Sequence, residues 1–350
     1  MTAAAPNGHH PPPLTPADPD ADSAPLHTAP RPVDRFTGAL LGMAIGDALG
    51  VPASGVTSAP ISGYQPRRDA DGNETARAGD FSAHTELALC IVETLVSNNG
   101  FIDPMNAGYR FAQILDSDNA HYLDDDTRAA LEQVRDSGDY QAGLAFDHAA
   151  QAGPAVRVLP IGLVHALSRV NAELLVREVM RTTLITHADP DVVNGALAAA
   201  WAIGLVVRRE VPPQLLLAEL LAFIDADTTA ECLRTAEHAL MRADDPEAAL
   251  DAIGRGDTLS EVVARACYLF ALAPDDFADT TLRAVNSGAD GSATGAIAGA
   301  LCGAWCGARA IPTDLVDGLD GRVYLLMASP ALYRTAQRRA GLFLQLHERP

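Results

Sequence analysis

The chain has 350 residues, and its 45 acidic against 25 basic side chains give a formal net charge of -20. A polyanion of that strength is repelled by phosphate backbones and anionic head groups, and no basic patch offsets the field, so nucleic acid and membrane surfaces are excluded as partners. All of the basic residues are arginine and none is lysine. Mechanisms that need a titratable ammonium group, such as a phosphate-loop lysine, a Schiff-base lysine or a serine-lysine dyad, are excluded with it.

Hydrophobic residues make up 48% of the chain but aromatic ones only 5%. Alanine, leucine, valine and glycine must therefore supply most of the core, which favours closely approaching helices over a strand-rich sandwich. Five cysteines without paired spacing read as reduced thiols of a cytosolic protein, and the N-terminus lacks the basic and apolar regions of a secretory signal, so a cytoplasmic location is expected.

In chain order, residues 1–33 hold nine of the 23 prolines among alanine, aspartate and histidine, the composition of a disordered tail. His9 and His10 there read as a solvated pair. Residues 34–350 form one all-α domain. Their periodicity predicts helices near 34–50, 84–98, 103–116, 126–136, 154–169, 172–185, 190–208, 213–223, 228–242, 259–272, 276–286, 293–308, 313–326 and 331–347, with Gly-, Pro- and Asp-rich breaks between them. Val192 to Val207 and Gly291 to Ala308 carry no charge. Their alanine and glycine content suits buried central helices better than membrane spans.

Gly38, Gly42, Gly46 and Gly50 recur every four residues, and so do Gly295, Gly299, Gly303 and Gly307. Each glycine inside a helix costs about 1 kcal/mol relative to alanine. A row spaced by four forms a groove into which another backbone settles, so these two helices are expected at the centre of the bundle with their glycine faces packed. Asp47 and Asp290 sit in or beside them. A carboxylate so near a dry core is costly unless it serves a site or is fully hydrogen-bonded.

These segments resemble the ADP-ribosylglycohydrolases. The run from Arg35 to Pro52, RFTGALLGMAIGDALGVP, resembles that family's opening helix, and Ala155 to Leu163, AVRVLPIGL, its central Met-Arg-x-x-Pro-x-Gly segment. Thr186-His187 with Asp189-Pro190 resembles its Thr-His element, and Ala284 to Pro312 its closing Gly-Gly-Asp-x-Asp-Thr segment with a glycine-striped helix. The resemblance implies a compact, mostly orthogonal all-α bundle and hydrolysis of a glycosidic bond to ADP-ribose assisted by two magnesium ions. Such a pair needs a dense set of hard oxygen ligands.

The positions that resemble the family's ligand elements depart from them. Ser82-Ala83-His84-Thr85 stands where the family has Thr-Asp-Asp-Thr, Ser54 where it has a glutamate, and Ser292 and Ala293 where its closing element has Asp and Thr. Asp290 alone is kept, so the magnesium pair is expected to be absent and no cofactor is required. In the loop before the central arginine, Gln151-Ala152-Gly153-Pro154 keeps Gly153, but Pro154 removes a backbone donor. Arg157 is implied to be a buried structural residue.

The candidate catalytic residues are Asp47, Glu86 and Asp290. The candidate ligand-binding residues are Gly153, His187, Asp290 and Ser292, and His84 with Asp290 is the candidate pair for a single divalent metal. His187 reads equally as a helix-terminus histidine. Cys302 and Cys306 read as small core residues, Asp124-Asp125-Asp126 as acids at a helix start, and Asp69, Asp71 and Glu74 as a solvated acidic loop. Two functions follow. One is an ADP-ribosylglycohydrolase-like homologue that has lost dimagnesium-dependent hydrolysis and acts as a ligand-binding, regulatory or structural protein, with an ADP-ribose-like small molecule or a protein subunit as its partner. The other is an active ADP-ribosyl hydrolase with an altered or single-metal site.

Overall fold

The computed structural model describes residues 29–54, 60–145, 152–224 and 228–342. Most of the proline-rich tail, Gln151 and the Ser54 side chain lie outside the described residues. The helices are α1 (Pro32–Gly50), α2 (Ala83–Ser97), α3 (Pro104–Gln113), α4 (Asp125–Ser137), α5 (Gly153–Arg157), α6 (Leu159–His165), α7 (Ala172–Thr183) and α8 (Pro190–Arg208). They continue as α9 (Leu216–Leu221), α10 (Thr228–Arg242), α11 (Pro246–Ile253), α12 (Leu259–Leu272), α13 (Phe277–Val285), α14 (Gly291–Cys306), α15 (Thr313–Gly318) and α16 (Arg322–Arg339). The class is all-α, as the sequence predicts.

The centre is the antiparallel pair α1 and α14. A Cβ built on Gly38 would fall inside the carbonyl of Gly303, one on Gly42 inside that of Gly299, and one on Gly46 inside that of Gly295. The clash is reciprocal for Gly295, Gly299 and Gly303. The two glycine rows thus mesh backbone to backbone, which offsets their low helix propensity through close van der Waals contact. Around the pair lie α8, α12, α13 and α16. By length and composition α1 and α8 could cross a membrane, but 89% and 72% of their most apolar windows are buried against other helices.

The structure corrects several boundaries. The segment read as one helix over 154–169 is split into α5 and α6 at Val158, whose own backbone stays helical. The helices expected at 313–326 and 331–347 are instead α15 and α16, with Pro330 inside α16. Helix α11 lies between the helices expected at 228–242 and 259–272, where Asp245 caps it by accepting from the Ala248 amide at 3.2 Å and Pro246 opens it. The Asp69 loop is the turn of a short antiparallel hairpin, β1 (Arg67–Arg68) with β2 (Glu74–Ala76). Asp69 accepts there from the amides of Asp71 and Asn73, both at 2.9 Å. Asp124 caps α4 through the Thr127 amide at 2.7 Å, as expected.

Candidate functional site

The site forms where the C-terminal part of α1 meets the N-termini of α2 and α14. Ser82 is the N-cap of α2, its hydroxyl accepting from the His84 amide at 3.1 Å. The same hydroxyl donates to Asp47 Oδ1 at 2.7 Å, and the Ser82 amide donates to Asp47 Oδ2 at 3.1 Å. Thr85 adds its amide at 3.1 Å and its hydroxyl at 2.7 Å, both to Oδ2. From α14, the hydroxyl of Ser292 donates to Oδ1. Asp47 is fully buried, yet five donors compensate its charge, two of them amides at the positive end of α2. The condition that makes a buried carboxylate tolerable is met by hydrogen bonding.

Beside this cluster the site opens to solvent. Asp290 caps α14 by accepting from the Ala293 amide at 2.9 Å. Its other carboxylate oxygen lies 3.9 Å from His84 Nε2, and the two side chains are 30% and 22% exposed. The other face of the imidazole meets α5, because a Cβ on Gly153 would stand 3.2 Å from His84 Nδ1. Glycine there leaves room for the ring. Glu86 is one step further along α2, with Oε2 taking the Ser117 hydroxyl at 3.3 Å. Burial raises its pKa above the usual carboxylate range, against the lowering effect of Asn119 and Ser117.

The structure therefore gathers Asp47, Ser82, His84, Gly153, Asp290 and Ser292 in one place, with Glu86 adjacent. His187 stands elsewhere in the bonding scheme. It is buried and shares a 2.7 Å hydrogen bond with Thr186, whose hydroxyl accepts from Arg157 at 2.5 Å. Arg157 is fully buried over the ring of Phe111, 5.3 Å to the centroid, and burial pulls its pKa down to about 9. Thr85, Arg67 and Tyr122 are site neighbours that the sequence reading did not single out. The Arg67 guanidinium lies 5.6 Å from the Tyr122 ring. Burial, with the charges of Asp80 and Asp47, pushes the Tyr122 phenol up to about 12 against the lowering effect of Arg67. Thr85 has a local signal in the N-capped Ser-x-x-Thr start of α2, whereas Arg67 and Tyr122 converge only through tertiary packing. Among the described residues no three His, Cys, Asp or Glu side chains gather as a metal site.

This glycine-meshed helical fold, with its site where the two glycine-striped helices meet the start of α2, matches the ADP-ribosylglycohydrolase family model over residues 28–342, and the chain belongs to that family. A solved structure titled ADP-ribosylglycohydrolase-related protein complex superposes with a TM-score of 0.68 and 26% identity, covering 87% of this chain and 99% of that one. An uncharacterized protein of Archaeoglobus fulgidus is 30% identical over 315 residues, 87% of this chain and 98% of its own length. ADP-ribosylhydrolase ARH3 of Xenopus tropicalis is 26% identical over 199 residues, 54% of this chain and 55% of its own length.

Proposed function

We propose that this chain keeps the ADP-ribosylglycohydrolase fold without two-magnesium hydrolysis and binds an ADP-ribose-like small molecule as a regulatory or ligand-binding homologue. One observation carries the reading: both oxygens of Asp47 are taken by Ser82, Thr85 and Ser292. A magnesium ion demands octahedral oxygen coordination, and a pair of them needs several carboxylates to neutralise four positive charges. Here Ala83 offers no donor, His84 offers a nitrogen better suited to zinc-type metals, and Ser292 spends its hydroxyl on Asp47. The residues present do not fit the magnesium pair. The open side, with His84, Asp290 and Gly153, is the part left to touch a ligand. The net charge of -20 disfavours nucleic-acid and membrane partners.

A working hydrolase with one divalent metal rests on the 3.9 Å approach of His84 to Asp290; it lacks the third protein ligand that such centres ordinarily hold. Thermal unfolding with magnesium, manganese, zinc or ADP-ribose separates the two. A ligand at a hundred times its dissociation constant adds about 2.7 kcal/mol to stability. The expected outcome is stabilisation by ADP-ribose that survives chelator, with no release of ADP-ribose from modified arginine or serine peptides. Metal-dependent stabilisation together with that release would overturn the proposal.

A further inference from the structure

The hairpin β1–β2 and the residue that follows it carry three arginines, Arg67, Arg68 and Arg77. Two of them are spent on exposed ion pairs: Arg68 with Glu74 at 3.6 Å, and Arg77 with Asp80 at 3.3 Å and Asp320 at 3.4 Å. Arg67 is half-buried, and its Nε is enclosed without a hydrogen-bond partner among the described residues. Its guanidinium lies 5.6 Å from the centroid of the Tyr122 ring, within the roughly 6 Å of a cation–π contact. The phenol oxygen of Tyr122, at the end of the turn Asp118–Tyr122, is likewise enclosed and without a partner.

Both groups border the site. Strand β1 packs on Val51–Ser54, the turn that follows Gly50 of α1, and Gly50 stands against the backbone of Ser292. From the other side, the charge of Asp47 reaches Tyr122. The acids at hand are already engaged: Asp47 by its five donors, Asp290 by the Ala293 amide, and Asp80 by the Arg77 amide at 3.0 Å as well as by its ion pair. The charge of Arg67 is therefore left over. A guanidinium donates and cannot accept, and a phenol hydroxyl can donate beside it, so the partner that satisfies both is an oxyanion. The planar fork of arginine matches the oxygens of a phosphate.

We propose that Arg67, with the Tyr122 hydroxyl, forms the phosphate-recognition edge of the site, a fixed guanidinium supplying the positive charge that a site unfit for the magnesium pair lacks. The inference rests on the reading of the site as one for an ADP-ribose-like molecule and narrows it: the group recognised is the phosphoryl part of a sugar nucleotide. In a chain of net charge -20 the surrounding field disfavours any anion, so affinity for such a ligand leans on this unpaired cation. Burial pushes the Tyr122 phenol up to about 12, and it keeps its proton to donate at neutral pH.

The test is calorimetric titration of the full chain in chelator with ADP-ribose, ADP, inorganic diphosphate and adenosine. ADP-ribose should bind, and adenosine at least about 100-fold more weakly. Arg67→Gln should weaken ADP-ribose by about 100-fold, Arg67→Lys, which keeps the charge without the fork, by about tenfold, and Tyr122→Phe by about fivefold. Arg68→Gln, which removes a charge already paired with Glu74, should bind as the wild type does. If the glutamine variant does not fold, the lysine variant carries the test. Equal binding of ADP-ribose by the wild type and the Arg67 variants would overturn this inference and leave the ADP-ribose-like reading standing. Binding of ADP or diphosphate through Arg67, with none of ADP-ribose, would do the reverse. A loss in Arg68→Gln equal to that in Arg67→Gln would show a diffuse field in place of a contact and overturn the inference, and no binding of any probe would overturn both.

Discussion

Ser292 on α14 donates its hydroxyl to the carboxylate of Asp47 on α1, joining the two central helices where their glycine rows end. A Cβ on Gly50 would collide with the backbone of Ser292, so the serine can reach Asp47 only because α1 is bare at that point. The polar clasp and the glycine mesh are thus one device. Asp47→Ala removes the acceptor and strands the hydroxyls of Ser82, Thr85 and Ser292 in a buried place. Leaving buried donors unsatisfied costs about 1–3 kcal/mol each, so Asp47→Ala should lower stability by at least about 3 kcal/mol in a urea melt. A loss under about 1 kcal/mol would contradict the clasp.

The glycine mesh makes a prediction opposite in sign to helix propensity. Gly299→Ala gains about 1 kcal/mol of intrinsic helix propensity, but its methyl would enter the Gly42 carbonyl, a backbone atom that cannot swing aside. Overpacking a closed core costs about 1–3 kcal/mol and more when backbone must move. Net destabilisation is expected in thermal unfolding, whereas Gly72→Ala, whose added methyl meets nothing within 4 Å, should lose only the modest cost of its positive φ of 83°. Equal melting temperatures for Gly299→Ala and wild type would refute the packing.

A third prediction concerns Glu178 of α7, buried between His165 and Arg339. Its Oε2 lies 2.8 Å from His165 Nε2 and 2.9 Å from Arg339 Nη2. Burial raises its pKa, but the hydrogen bonds of His165 and Arg339 outweigh burial and hold it below the ordinary carboxylate value. A carboxylate with a depressed folded pKa contributes stability that is present above the unfolded value near 4.3 and lost as pH falls through the folded one. Stability should therefore drop in acid below about pH 4. Glu178→Gln should abolish that part of the acid dependence and, by leaving the Arg339 charge buried, cost about 3–5 kcal/mol at neutral pH. Unchanged stability of Glu178→Gln at pH 7 would show that the cluster does not pin α16 to α6 and α7.

The glycine spacing is legible as a four-residue steric row, and Ser82, Asp290 and Ser292 lie at helix N-termini, but the convergence of these residues with Asp47 and His84 is legible only through the resemblance to the family's ligand elements, because Asp47 sits in the last turn of α1. Pro330 shows where local patterns mislead. Proline usually breaks a helix, which predicts a gap at that position, but α16 runs through it. The Asp-Asp-Pro before α11 read as a break although the Asp245 cap and Pro246 are start signals. The Glu178–Arg339 pair spans 161 positions, and no local periodicity encodes a contact at that range. Nor does any local signal place Arg67 against Tyr122.

The absence of site acids can be tested by restoring them. In the variant Ala83→Asp, His84→Asp, Ser292→Asp, new carboxylates enter beside Asp47 and Asp290, and Ser292 no longer donates to Asp47. Clustered carboxylates raise one another's pKa and repel, so the variant should be less stable than wild type in chelator, and most so above pH 5 where the acids ionise. Magnesium should then reverse the loss, since a cation that binds only the folded state stabilises it by about 1.4 kcal/mol for each tenfold excess over its dissociation constant. Calorimetry should detect magnesium binding to the variant and none to the wild type. A variant that stays unresponsive to magnesium would mean that these three positions do not face one common point, and the assignment of Ala83, His84 and Ser292 to the family's ligand positions would fall.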